Sequence, residues 1–211
     1  MGWKWLANSG NHAYWLGTYE KEYVKTFVKQ IKSGNVVFDI GAQAGYFTLI
    51  ASRLTEEQGK VFTFEPLPEN ISFIQKHCLL NDCQNVTILD KAVGNTPSKR
   101  RFKTTGCSFM GNLSTEGDLE VEVASLDQLA ADKQISPPQV IKIDVEGMDY
   151  WVLRGGEKLI REHRPIIFIA THGGKNRTRV LEILKEWRYE AVMIGNGSDK
   201  NADYVAYPSK F

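Results

Sequence analysis

The chain has 211 residues, 42% of them hydrophobic and 24% charged, which suits one domain with a substantial core. A formal net charge of +1 advertises no bulk attraction to nucleic acid, and no stretch is long and apolar enough to span a bilayer. Three cysteines (Cys78, Cys83, Cys107) without metal-ligand spacing suit reduced thiols in a cytoplasmic protein.

No repeat or low-complexity linker divides the chain, so a single domain over 1–211 is expected, with an N-terminal helical segment over about 1–33. Trp3, Trp5, Tyr14 and Trp15 cluster at the start. They suit packing against the domain, a substrate lid, a dimer contact or a membrane-surface foot. Thr18 is placed to cap a helix in which Tyr19, Tyr23, Phe27 and Ile31 recur every four residues, and Ser33-Gly34 ends it.

The stretch from Val36 to Leu49 organises the rest of the chain. Val36, Val37, Phe38 and Ile40 read as a strand buried on both faces, Gly41 breaks it, and a helix with Phe47, Leu49, Ile50 and Leu54 comes next. Strand, glycine turn and helix open a doubly wound α/β domain, whose ligands sit beyond the carboxyl ends of the strands. The turn lacks the central glycine of a dinucleotide fingerprint. Two acids, Asp39 and Glu65, close the first two strands and suit a cationic ligand with ribose hydroxyls, namely S-adenosylmethionine.

The second strand is VFTFE, and Pro66 and Pro68 lead into a helix through Ile71, Ile74 and Leu79 that stops near Asn81-Asp82. Cys78 and Cys83 flank its end and read as packing residues. The third strand is expected over Val86 to Val93. The alternation then breaks into a hairpin excursion over 96–124, with strands near Arg100 to Lys103 and Leu119 to Val123 and a loop bordering the active site. Ser125 caps a short helix, and the fourth strand ends at Asp144. A helix with Trp151, Val152 and Leu153, interrupted at Gly155-Gly156, precedes a fifth, apolar and central strand from Pro165 to Thr171. A helix with Val180, Leu181, Leu184 and Trp187 comes after it, then a closing antiparallel pair, Glu190 to Ile194 and Asp203 to Tyr207. The fold expected is α/β: a doubly wound, seven-stranded, mostly parallel Rossmann-like sheet whose last pair is antiparallel.

LGTYE (16–20), VFDIGAQAGYFTL (37–49), VFTFEPLPEN (61–70), the end of DKAVGN (90–95), VEVASLDQL (121–129) and IKIDVEGMDYWVLRGG (141–156) together resemble the FkbM family of S-adenosylmethionine-dependent methyltransferases. The resemblance implies that Asp39, Gly41, Ala42 and Gly45 line the methionine end of the cofactor, that Glu65, with Pro66 beside it, takes the ribose hydroxyls, and that Asp90 to Ala92 meets the adenine. Tyr19 and Glu20 either close over the methionine tail or make an ordinary helix start. Two departures stand out. Gln43 replaces a common asparagine, and Ala170 replaces an acid that many members carry at the end of strand five, leaving its task to Thr171, His172 or Glu146.

Methyl transfer to a sugar, glycan or natural-product hydroxyl wants a general base. His172 is the candidate, with Asp144 orienting substrate or imidazole, since both end central strands on the cofactor rim. Glu146 is a third catalytic candidate, or accepts nearby backbone amides. A divalent metal on Asp144, Glu146 and His172 is the less favoured variant, and no dedicated metal site is assigned. An NAD-linked oxidoreductase and a non-catalytic cofactor-binding protein are the alternatives. The acceptor is expected to be a small molecule or glycan rather than nucleic acid, and a homo-oligomer is allowed.

Overall fold

The structure, a computed structural model, describes residues 2–7, 9, 20–104, 111–113, 119–198 and 201–209. The predicted Thr18 cap, Tyr14, Trp15, Tyr19, Cys107 and most of the excursion loop lie outside the described residues.

Seven strands form the main sheet: β1 (Val36–Ile40), β2 (Lys60–Phe64), β3 (Val86–Leu89), β8 (Val140–Ile143), β9 (Ile166–His172), β10 (Tyr189–Ile194) and β11 (Asn201–Pro208). Their order is β10-β11-β9-β8-β1-β2-β3, and the order reverses beside β1. The strands from β9 to β3 pair in parallel, whereas β11 runs antiparallel to both neighbours. This is the expected sheet.

Alternate residues of each strand feed two cores, as a sheet covered on both faces requires. Val37, Val61, Val140 and Phe168 pack on one face with Tyr23 and Phe27 of α1 (Lys21–Gln30) and Phe47 and Ile50 of α2 (Tyr46–Thr55). Phe38, Ile40, Phe64, Ile141 and Ile143 pack on the other. There they meet α4 (Leu126–Ala131), α5 (Asp149–Gly155), α6 (Glu157–His163) and α7 (Gly174–Glu186).

Three expectations shift. Among the described residues the N-terminal helix covers Lys21–Gln30, and Ile31 packs in the core just beyond it. The long third strand divides: β3 stops at Leu89, and β4 (Ala92–Val93) joins a second sheet with β5 (Ser98–Thr104), β6 (Gly111–Leu113) and β7 (Leu119–Ala124). The order of that sheet is β4-β7-β5-β6. Leu89 pairs with Phe64 and Ala92 with Val123, so Asp90 and Lys91 carry the chain from one sheet to the other. In α3 (Pro68–Leu80) the buried positions are Asn70, Ile74 and His77, and Leu79 is 84% exposed. Two polar residues on the inner face hide that face from a reading of apolar periodicity.

The aromatic start packs on the domain. Trp3 and Trp5 each meet Tyr46 edge-on at 6.3 Å, and Trp5 stacks on His77 at 3.9 Å. His77 is fully buried. Nδ1 lies 2.8 Å from the Ala44 carbonyl while Nε2 takes the Leu6 amide at 3.1 Å, so the ring is the neutral Nδ1–H tautomer tying the arm to the glycine turn. Burial pushes its pKa down. Among the described residues no helix is long and apolar enough to cross a membrane.

Candidate active site

The carboxyl ends of β1, β2, β8 and β9 meet at one edge, where the order of the sheet reverses. The turn after β1 carries three left-handed residues, Gly41 (φ 75°), Gln43 (φ 54°) and Gly45 (φ 89°). The Gly41 and Ala42 amides both donate to the Phe64 carbonyl, at 3.0 and 3.3 Å, fixing the turn to β2. A Cβ on Gly41 would lie 2.0 Å from the Asp144 carbonyl oxygen. Glycine is therefore needed there for the close approach of β1 to β8, independently of any clearance for a ligand.

Asp39 is fully buried and lies in register with Thr63 of β2 and Lys142 of β8. The Lys142 ammonium, only 3% exposed, sits 3.2 Å from Asp39 Oδ1, donates to the Gly41 carbonyl at 2.8 Å and lies over the Phe47 ring. Thr48 Oγ1 donates to Asp39 Oδ2 at 2.6 Å, and Thr63 Oγ1 lies 3.2 Å from Thr48 Oγ1. Asp39 thus spends its charge on a polar rung that crosses three strands beneath the turn. Lys142 was missed by the sequence reading, because inter-strand register brings these two residues together across 103 positions.

Glu65 is 4% exposed and accepts the Gln43 amide at 2.8 Å and the Leu67 amide at 3.0 Å. Burial raises its pKa to about 7, against the lowering effect of those amides, Asn70 and Lys142. Asn70, itself buried, leaves Oδ1 without a hydrogen-bond partner. An underhydrated carboxyl beside an orphaned amide oxygen fits a ligand bearing paired hydroxyl donors, as a ribose does. Pro66 is half-buried, Asp90 is exposed at the corner after β3, and Ala92 opens β4. Glu20 occupies the N-cap of α1 in a left-handed conformation, its side chain making no capping bond.

Asp144 and His172 are brought together, with Nε2 3.8 Å from Asp144 Oδ1, and both are partly exposed. That gap is too long for a hydrogen bond. His172 Nδ1 is buried without a partner. Thr171, a suggested stand-in for the missing acid, is buried and donates to the Ala202 carbonyl at 2.7 Å, which occupies it in the sheet. Glu146 is exposed and left-handed (φ 46°); the carboxylate that accepts a backbone amide in this turn is instead Asp149, which takes Val145 N–H and the Asn176 amide.

Two further acids escaped the sequence reading. Burial raises Asp149 to about 6, with the Asp144 charge adding and His172 opposing. Asp203 of β11 stands in register with Ala170 and is likewise raised, by burial first and then by Asp144. An acid therefore occurs across the ladder from the strand-five position that lacks one, a placement visible only once β11 is paired. The Tyr23 hydroxyl is also buried without a partner, its ionisation opposed by burial and by Asp144 and Asp203. Among the described residues no group of three or more His, Cys, Asp or Glu side chains is arranged to hold a metal ion.

A sheet of this order, with the glycine turn and the acid-ended strands, defines the Rossmann-like class of S-adenosylmethionine-dependent methyltransferases. The precorrin-6y C5,15-methyltransferase of Geobacter metallireducens GS-15 shares the fold with a TM-score of 0.60 at 15% identity, over 98% of this chain and 94% of that one. An FkbM methyltransferase structure from Methylobacillus flagellatus KT gives 0.58 at 14% identity, over 95% of this chain; this chain spans 56% of that one's length. The sequence pattern described as the methyltransferase FkbM domain matches residues 39–191, and the chain belongs to that family. The hexuronic acid methyltransferase AglP of Haloferax volcanii is 24% identical over 171 residues, 79% of this chain and 68% of that protein. The family match sets aside the NAD-linked reading.

Proposed function

We propose that this methyltransferase acts on a hydroxyl of a sugar or glycan, with Glu65 holding the cofactor ribose and His172 taking the proton of the acceptor. S-adenosylmethionine, when bound, supplies the electrophilic methyl group. The protein's task is then to place the acceptor oxygen and receive its proton. The observation that carries the reading is the meeting of Asp144 and His172 at the carboxyl edge where the glycine turn and Glu65 also lie. The name of the Haloferax relative supports a sugar acceptor.

Asp144, Asp149 and Asp203 surround the imidazole with negative charge, which offsets the positive charge that His172 acquires as a base. Asp203 takes the place of the absent strand-five acid. Asp144 orients the ring, or the acceptor, across the 3.8 Å gap.

Calorimetry with S-adenosylhomocysteine in buffers of different ionisation enthalpy tests the cofactor half. Ribose hydroxyls donating to Glu65 lower its pKa, so binding near pH 7 releases a proton. A binding enthalpy independent of buffer sinks that role. Methyl transfer to a panel of neutral, acidic and amino sugars tests the other half. His172→Ala keeps affinity for S-adenosylhomocysteine and loses about 10²- to 10⁴-fold in turnover. Full turnover in that variant removes the base.

A further inference from the structure

The end of α3 places two cysteines side by side by a mechanism internal to the backbone. The Cys83 amide donates to the Cys78 carbonyl at 3.0 Å and the Asp82 amide to the Leu79 carbonyl at 3.4 Å, while Asp82 adopts φ 55°. These two bonds and the left-handed residue make a Schellman stop, which folds the second residue beyond the Asn81 cap back against the third residue from the helix end. An apolar pair commonly fills that contact. Here both members are thiols, Cys78 and Cys83, free and half-buried.

The two sulfurs are chemically unequal. The proximity of Cys78 favours the ionised form of Cys83, while the nearby Ser52 hydroxyl donates to Asn85 Oδ1 at 2.5 Å. That effect outweighs burial and the Asp82 charge, lowering the Cys83 pKa below the ordinary thiol value. The neighbouring Cys83 and burial push the Cys78 pKa up. The other contact of Cys83, 3.8 Å to the Asn81 carbonyl, is at the long limit for sulfur. Cys83, Ser52 and Asn85 also line an open cavity of about 790 Å³, so small solutes reach the site.

We propose that Cys78 and Cys83 form a peroxide-reactive dithiol, separate from the methyl-transfer site, in which Cys83 is the attacking thiolate and Cys78 the resolving thiol. Cys83 sulfur attacks one oxygen of hydrogen peroxide: an S–O bond forms, the O–O bond breaks, and hydroxide leaves, taking a proton from solvent to become water. Cys78 sulfur then attacks the sulfenic sulfur. An S–S bond forms, the S–O bond breaks, and the departing hydroxyl takes the Cys78 proton as a second water. Two thiols are oxidised by two electrons and the peroxide is reduced.

The bond closes at the anchor of the N-terminal arm. Asn81, between the cysteines, pairs with Lys4 through both amide atoms, Oδ1 accepting at 2.9 Å and Nδ2 donating at 2.8 Å. His77, one residue before Cys78, holds the Leu6 amide and the Ala44 carbonyl. Oxidation therefore locks the helix end to which the arm is tied.

The test uses the full chain, hydrogen peroxide and iodoacetamide. Lys76 and Lys91 bracket both cysteines within one tryptic peptide. After peroxide that peptide is expected to be lighter by two hydrogens and closed to alkylation until reduced; Cys83→Ser does not show the loss. In the reduced chain, Cys83 alkylates with a pH midpoint below that of an ordinary thiol, and Cys78→Val moves the midpoint up by removing the neighbouring thiol. Over-oxidation of Cys83 to sulfinic acid without the internal disulfide would overturn the proposal. An alkylation midpoint at the ordinary thiol value, unmoved in Cys78→Val, would do so equally. Neither readout depends on methyl transfer.

Discussion

Replacing Lys142 with methionine keeps the bulk of the side chain and removes the cation facing Asp39. Both residues are almost wholly buried, and Asp39 Oδ1 lacks a well-aligned hydrogen bond although Nζ is 3.2 Å away, so the attraction it loses is chiefly Coulombic. Removing one partner of a buried pair costs about 3–5 kcal/mol, because the remaining charge stays desolvated. Against a total stability of about 5–15 kcal/mol this is a large fraction. For a chain of this size it lowers Tm by roughly 6–20 °C, at about 2–4 °C per kcal/mol. The Gly41 carbonyl loses its ammonium donor as well, so the turn loosens and S-adenosylhomocysteine affinity falls with stability. Urea unfolding at pH 8, followed by tryptophan fluorescence, measures Lys142→Met, Asp39→Asn and the double variant. The double variant is expected to be more stable than the sum of the single losses by at least about 1 kcal/mol, since it leaves no unpaired charge behind. Strict additivity, or a Lys142→Met loss below about 1 kcal/mol, would refute the polar rung as the support of the turn.

Two glycines in that turn separate close approach from packing. Gly41→Ala is expected to abolish cofactor binding and cost more than about 3 kcal/mol, the Cβ meeting backbone at 2.0 Å with φ at 75°. Gly45→Ala carries the same left-handed strain, at φ 89°, but its Cβ meets Ile74 no closer than 3.2 Å and it costs less; equal losses by thermal unfolding would contradict this. Two groups give pH-dependence of opposite sign. His77 has a lowered folded pKa, so its contribution is present above the unfolded value of 6.5 and is lost as pH falls through the folded one. Tryptophan fluorescence should report loosening of the Trp3–Trp5 arm in acid, and His77→Phe should flatten that response. Glu65 has a raised folded pKa of about 7 against 4.5, so its favourable contribution is full below 4.5 and lost as pH rises through 7, a change of about 3 kcal/mol. The stability difference between the wild-type chain and Glu65→Gln should therefore change across that window, and a difference constant with pH contradicts the burial cause. Asp203→Asn is expected to lower kcat without weakening S-adenosylhomocysteine binding; unchanged kcat sinks its place beside His172.

How much of the fold and site was legible in the sequence depends on the range over which each signal acts. Val36 to Leu49 declares strand, turn and helix because its apolar spacing and Gly41 are local facts, and the same holds for the acids ending β1 and β2 and for Asp144 and His172 at the ends of β8 and β9. Local signals do not say which face of a strand an acid occupies or what stands beside it. Asp39 looks available to a ligand until Lys142 comes into register with it, and Ala170 looks like a vacancy until β11 pairs back and sets Asp203 opposite. Likewise, the buried face of α3 is concealed because two of its inner residues, Asn70 and His77, are polar. The physical consequence reaches function. The turn after β1 buries only the small side chains of Ala42 and Ala44, and its shape is held from below by Lys142 on Gly41 and from the side by His77 on Ala44. Both supports are ionisable groups inside the protein, Lys142 facing the Asp39 carboxylate at 3.2 Å and His77 with its pKa lowered by burial. The turn should therefore respond to mutation at Lys142 and to mutation and pH at His77, and the sites of those responses are set by sheet register and helix packing rather than by any motif.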